Sequence, residues 1–284
     1  VKIDLFSPHR RIELEVQRSI EKLFAEILKV SAKKSTTPKE IQKILEKFIN
    51  DPLYLEEMGA RIAQRMVTHI SVSNARSWSA AAQKAGRGRE IYGLLQREML
   101  LGTGSRVHAL VSENAKLIAS IPEKIREEIN NEIADMQREG LRHETISEHI
   151  RKRVPQITKS RAALIARTES GKASTALTQA RSEDLGIEWY QWATSEDQRV
   201  RPSHRIMDKV LVSWTDPPSP EALDRLPSVG RYAPGEIYNC RCVALPLVDL
   251  NVIAWPAVVY MNGSLRRMTR AQFLDISGMQ GRAA

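Results

Sequence analysis

The stretch Leu185-Gly-Ile-Glu-Trp-Tyr-Gln-Trp-Ala193 is where the chain changes its periodicity. Upstream, residues 158–185 read as a helix with Gly186 placed to cap its C-terminus. Downstream, β-branched and aromatic residues gather in short runs bounded by turn formers. Residues 188–193, 210–214 and 241–248 have the length and content of strands, and proline-rich 216–230 reads as an irregular loop. Asn262-Gly263 between apolar residues predicts a hairpin, followed by a short helix and a frayed end. The fold class is α+β, an elongated and mainly helical N-terminal region before a compact α+β C-terminal module. The expected boundaries are 1–155 for the helical region, 156–250 for the module and 251–284 for an extension carrying the hairpin and short helix.

Working outward, the first 155 residues read almost wholly as helix. Thr37-Pro-Lys-Glu40 has the form of a capping box with proline at the first helical position. Met58, Ile62, Met66 and Ile70 recur every four residues, with Leu55, Ala63 and Val67 on the same face, so this helix needs a partner surface. Gly86-Arg-Gly-Arg89 and Gly102-Thr-Gly104 read as turns. Ser120-Ile-Pro-Glu123 predicts a second capping box, opening a helix that ends near Gly140. Residues 143–153 predict a short helix stopped by Pro155.

Net charge is +9, divided as +6 up to Pro155 and +3 beyond it, so the excess is spread rather than held in a basic tail. Such a surface favours a polyanion, and double-stranded DNA bound without sequence preference is the obvious one. No apolar run approaches the roughly 18–20 residues that span a bilayer, and a soluble protein is expected. Two cysteines separated by one residue cannot staple a chain of this length, which predicts reduced thiols.

The polar residues of the second half fall into three blocks, Arg167-Thr-Glu169, Asp197 to His204, and the segment from Pro234 to Pro246 holding both cysteines. Glu169 lies four residues after Ile165 and four before Ala173, on the apolar face of its helix, so it must find a cation. Arg199, Arg201 and Arg241 are the expected partners, with Arg167 close in sequence. Together with Asp197 and His204 they make a structural polar network. Cys240 and Cys242 face the same way if they stand on a strand. Structural zinc sites mostly use pairs separated by two to four residues and four ligands in all. Here only His204 and Asp208 could complete the set. The reading is therefore two buried packing thiols and no metal, with His204, Cys240 and Cys242 as the candidate ligands should one bind. A catalytic set drawn from His204, Asp197, Glu169 and Cys240 lacks any spacing that requires it, and no catalytic residue and no cofactor is assigned.

Arg167-Thr-Glu169, then Trp189-x-x-Trp-x-Thr-x-x-Asp197-x-Arg199-x-Arg201-x-x-His204, then Gly235 and Asn239-Cys240-Arg-Cys242 resembles the phage Mu F-like minor head proteins, the head-morphogenesis family of tailed phages and prophages. The resemblance runs over residues 158–247. It implies a minor capsid protein of the virion, assembled in the host cytoplasm. It also implies partners in the portal and in the major capsid or scaffold proteins, and a contact with packaged DNA. In this reading the helical region supplies the assembly surface and the protein is not an enzyme. The rival readings are a prophage-encoded enzyme or toxin-like effector module, and a free-standing nucleic-acid-binding protein. An even charge distribution and few aromatics count against the latter.

Overall fold

The computed structural model describes residues 6–279. Eight helices come first, α1 (Arg10–Leu23), α2 (Ala25–Ser31), α3 (Pro38–Ile49), α4 (Pro52–Lys84), α5 (Gly88–Arg97), α6 (Gly102–Ala119), α7 (Ile121–Arg138) and α8 (His143–Asp184). There follow β1 (Trp189–Ala193), α9 (Pro202–Arg205), β2 (Leu211–Ser213), α10 (Pro220–Leu223), β3 (Val243–Pro246), β4 (Ala257–Met261), β5 (Ser264–Met268) and α11 (Arg270–Ser277). The fold is α+β. The frayed end expected after the last helix lies outside the described residues.

Two compact units result, and neither is contiguous in sequence. One holds residues 10–68 and 109–167, the other 1–9, 69–108 and 168–284. The boundary expected at residue 155 does not mark either unit, because residues 69–108 belong to the unit that contains the sheet.

The first unit is all helix. Thr37 Oγ1 accepts the Glu40 amide while the Glu40 carboxylate accepts the Thr37 amide at 2.7 Å, the expected capping box at the start of α3. Leu55, Ala63, Met66 and Val67 are buried on α4, and Ile41, Leu45 and Phe48 on α3. Each of these side chains larger than Ala63 contributes about 1.5–3 kcal/mol when fully buried. Gly59 lets α4 approach α6, since a Cβ there would lie 2.7 Å from the Ala115 carbonyl oxygen. Gly59→Ala should push the two helices apart and cost about 1–3 kcal/mol, the range for overpacking, read as a lowered urea midpoint with the slope retained.

Two expectations fail here for physical reasons. Pro155 does not stop a helix but lies inside α8. Ile146, Ile150, Val154 and Ile157 keep one buried face running across it, and that packing outweighs the roughly 3 kcal/mol a helical proline costs. The second capping box does not form. Ser120 has helical backbone angles between α6 and α7, and its hydroxyl turns back to donate to the Leu117 carbonyl.

The second unit is built around a five-stranded sheet of order β3-β1-β2-β4-β5. All neighbours are antiparallel except β2 and β4, which are parallel. The C-terminal hairpin turns at Asn262-Gly263 as predicted, but it is the far edge of this sheet rather than an appendage. Loop 216–230 contains the short α10. The interior strand β1 is buried on both faces. Tyr190 and Trp192 pack with Val212, Trp214, Ala244 and the two cysteines, while Ala193 packs with Trp78 and Ile91 from the helices. Trp189 packs with Phe273 of α11, ring centroids 5.0 Å apart.

Candidate functional site

The face of the sheet that carries Trp192 is covered by two loops, residues 194–209 and 224–242, with α9 in the first. Thr194 amide and hydroxyl both donate to Asp208 at 2.9 Å and tie the first loop back on itself. That closure leaves α9 presenting Ser203 and His204 inward, both buried.

The second loop is seated against α8 by glycine. Gly235 has φ of +90°, and a Cβ there would lie 2.6 Å from Thr175 Oγ1 and 3.2 Å from the Gly171 carbonyl oxygen. Thr175 donates to the Pro234 carbonyl at 2.5 Å, and the Asn239 amide donates to Thr168 Oγ1 at 3.2 Å. Gly235→Ala should therefore strain the backbone and press on α8. A loss of about 1–3 kcal/mol is expected in thermal or urea unfolding, and an unchanged midpoint would mean that the loop is not seated in this way.

His204 is the centre of the cluster. Its Nδ1 lies 3.6 Å from Cys240 Sγ and 3.4 Å from Cys242 Sγ. Its Nε2 lies 3.0 Å from the Tyr232 hydroxyl, which in turn sits 2.6 and 2.8 Å from the two Glu221 carboxylate oxygens. Ser203 adds a second donor to Glu221 at 3.3 Å. Burial, then the hydrogen bond to Glu221, pushes the Tyr232 phenol far above its ordinary value, so it remains a proton donor. A phenol that donates to Glu221 can only accept from His204, so the imidazole carries a proton on Nε2. Nδ1 is left facing the sulfurs. Cys242 S–H donation, opposed by burial and assisted by His204, draws the Cys240 thiol well below its usual range. The same contact with Cys240, together with burial, pushes Cys242 up. Both thiols are free and buried.

Around this cluster the expected polar network divides into separate pairs. Asp197 holds Arg241 at 2.8 and 3.0 Å, a bidentate pair, and accepts the Arg199 amide at 2.9 Å with the Arg199 guanidinium at 3.6 Å. Burial would raise the Asp197 carboxyl, but the Arg199 amide and the Arg241 and Arg199 charges outweigh it and leave it below the ordinary carboxylate value. Arg201 donates to the Tyr238 carbonyl at 2.8 Å and lies over the Tyr238 ring. Glu169 is buried, as its helical phase requires, but its ion-pair partner among the described residues is Lys172 at 2.9 Å rather than an arginine. Lys172 is one turn along the same helix and brings its amine to the carboxylate without crossing between elements. Arg167 is exposed on α8.

Three participants went unrecognised in the sequence. Glu221 stands on the short α10 within the proline-rich stretch and Tyr232 just beyond that stretch, where no periodicity marks them. Arg181 is fully buried and pairs with Glu98 through two nitrogens at 2.7 and 2.9 Å, with further bonds to Asn74 and Ser71. Its signal was present, since Ala173, Leu177 and Arg181 follow one another at four-residue spacing on the apolar face of α8.

Residues 127–245 match the family model described as Phage Mu protein F like protein. The region that builds this site is thus similar to Mu F-like proteins, and the match begins upstream of the motifs that carry the resemblance, within α7. An uncharacterized protein of Haemophilus influenzae is 35% identical over 146 residues, which is 51% of this chain and 30% of that protein. The chain therefore spans less than a third of the length of this relative. No solved structure matches.

Proposed function

We propose that the protein is a head-morphogenesis component of a tailed phage or prophage, a minor capsid protein that associates with the portal vertex during prohead assembly. The observation that carries this reading is the Mu F-like match over residues 127–245. The site geometry supports a structural rather than a catalytic role. Its ionic groups are spent on one another and on loop closure, and its small pocket of about 10 Å³ offers no room for a substrate. No described helix is long and apolar enough to cross a membrane. Portal and major capsid or scaffold proteins are the proposed partners, and the +9 charge adds a nonspecific contact with packaged DNA.

Co-expression with the portal and major capsid proteins of the same phage or prophage tests the assembly reading. The protein should co-purify with portal rings and enter proheads. Proheads that form normally and exclude it would overturn the assignment. For DNA, binding should weaken steeply as salt rises and should not depend on sequence, because counterion release dominates such contacts. Absence of binding at low salt removes DNA from the list of partners.

A further inference from the structure

We propose that His204 Nδ1 and the Sγ atoms of Cys240 and Cys242 are three ligands of a divalent ion of the zinc class, with the fourth position facing a water-sized pocket beneath Ser195. This goes beyond the assembly role and reverses the sequence-based expectation of two packing thiols.

Four observations carry it. The three ligand atoms all lie within 4.8 Å of one another and all three residues are buried. Tetrahedral zinc with bond lengths of about 2.0–2.1 Å to nitrogen and 2.3 Å to sulfur places its nitrogen and sulfur ligands about 3.6 Å apart. The observed separations are 3.6 and 3.4 Å. A Cys242-to-Cys240 contact and one bond to Nδ1 would give each thiol a partner, yet both sulfurs converge on the same nitrogen. A cation satisfies all three at once.

The second observation is what stands behind the histidine. Metal-bound imidazoles almost always donate their other N–H to a carboxylate, carbonyl or water that fixes the tautomer and the ring. Here Nε2 is held by Tyr232, and Tyr232 by the buried Glu221. Third, the pocket beside the cluster is lined by Ser195, Asn239, the three candidate ligands, Val200 and three arginines, Arg199, Arg201 and Arg241. Its volume of about 10 Å³ is close to that of one water probe. Ser195 Oγ is buried there with no hydrogen-bond partner, so a ligand water would satisfy it. Fourth, the charges balance. Two thiolates and a neutral imidazole around a divalent cation leave the ligand set neutral, the Glu221 carboxylate lies 3.8 Å from His204 Nε2, and the nearby Arg241 has its counter-ion in Asp197. The ion would clamp the Cys240–Cys242 segment to α9, joining two loops that no strand pairing connects. The narrow Cys-x-Cys spacing is accommodated because neither cysteine stands on a regular strand. β3 begins only at Val243.

The test is elemental analysis of the full chain, purified after tag removal, then stripped and reloaded with zinc. One zinc per chain is expected, and Co(II) in its place should give thiolate-to-metal charge-transfer absorption. Cys240→Ser combined with Cys242→Ser should abolish both. Tyr232→Phe keeps all three ligands but frees the imidazole from its anchor. It should weaken zinc about 10–100-fold in competition with a chromophoric chelator, the usual effect of losing such a partner. A mere packing role for Tyr232 would leave that affinity unchanged. Two results would overturn the proposal. One is wild-type protein that retains no zinc after reloading and shows no charge-transfer band with Co(II). The other is zinc retained in full by the double cysteine variant, which would place the ion elsewhere.

Discussion

Glu98→Ala should lower the stability of the protein by about 3–5 kcal/mol, the range for removing one partner of a buried ion pair. The Arg181 side chain is completely enclosed and the Glu98 side chain is 14% exposed, so solvent screens the pair little. The two bonds from Arg181 to Glu98 form a fork in which both carboxylate oxygens are used. The remaining donors reach Asn74 Oδ1 and Ser71, and Asn74 in turn donates to Thr178 at 2.7 Å. Removing the carboxylate leaves the guanidinium with neutral partners only. Glu98→Gln should cost less, because an amide oxygen still accepts one bond. Glu98→Leu combined with Arg181→Met should cost less than Glu98→Ala alone, because no charge is then left buried. Chemical unfolding of the four proteins checks the order. Equal losses for Glu98→Ala and the double variant would show that the network contributes by packing and not by charge compensation.

The same network shows how far the sequence could be read. Helical phase places Glu169 and Arg181 on the apolar face of α8 by the same arithmetic, and both are buried. Phase says nothing of the partner. Lys172 reaches Glu169 because it is one turn away, while Glu98 reaches Arg181 across more than eighty residues of chain. Strands β1 and β2 and the Asn262-Gly263 hairpin were legible because alternation and turn chemistry are local. Continuation of α8 through Pro155 was not, because the local cost of proline is overcome by a buried face that only tertiary packing creates. The same limit hid the units. Nothing in residues 69–108 taken alone announces that Trp78, Ile91 and Leu94 bury against the sheet. At the candidate site the residues were legible and their grouping was not. His204, Cys240 and Cys242 were singled out together, but their convergence depends on loops whose course is set by Gly235, Asp208 and Thr168. Tyr232 and Glu221, which orient the histidine, lie in a segment with no repeating pattern.

Trp192→Ala should be at least as costly as any single change in the sheet, about 3–5 kcal/mol, as for large aromatic truncations in a packed core. Trp192 is fully buried on β1, which is flanked by β3 and β2, so the cavity left behind has rigid walls that cannot collapse. Its ring meets the His204 imidazole edge to face, 5.6 Å between centroids at 82°, and packs against Tyr232 at 6.3 Å. The indole N–H makes no hydrogen bond of normal geometry, although it lies near enough to Cys242 to favour that thiolate, so the residue acts mainly through its volume and shape. Trp192→Phe, which keeps an aromatic surface, should therefore recover much of the loss. Gln191→Ala, on the same strand but half-buried, should stay within about 0.5 kcal/mol. Melting and urea midpoints of the three variants give the comparison. If Trp192→Phe were as damaging as Trp192→Ala, an unrecognised bond of the indole N–H would be required. If Trp192→Ala were as mild as Gln191→Ala, the loops carrying His204 and the cysteines would not rest on this strand. Their geometry would then need another support than the one the fold provides.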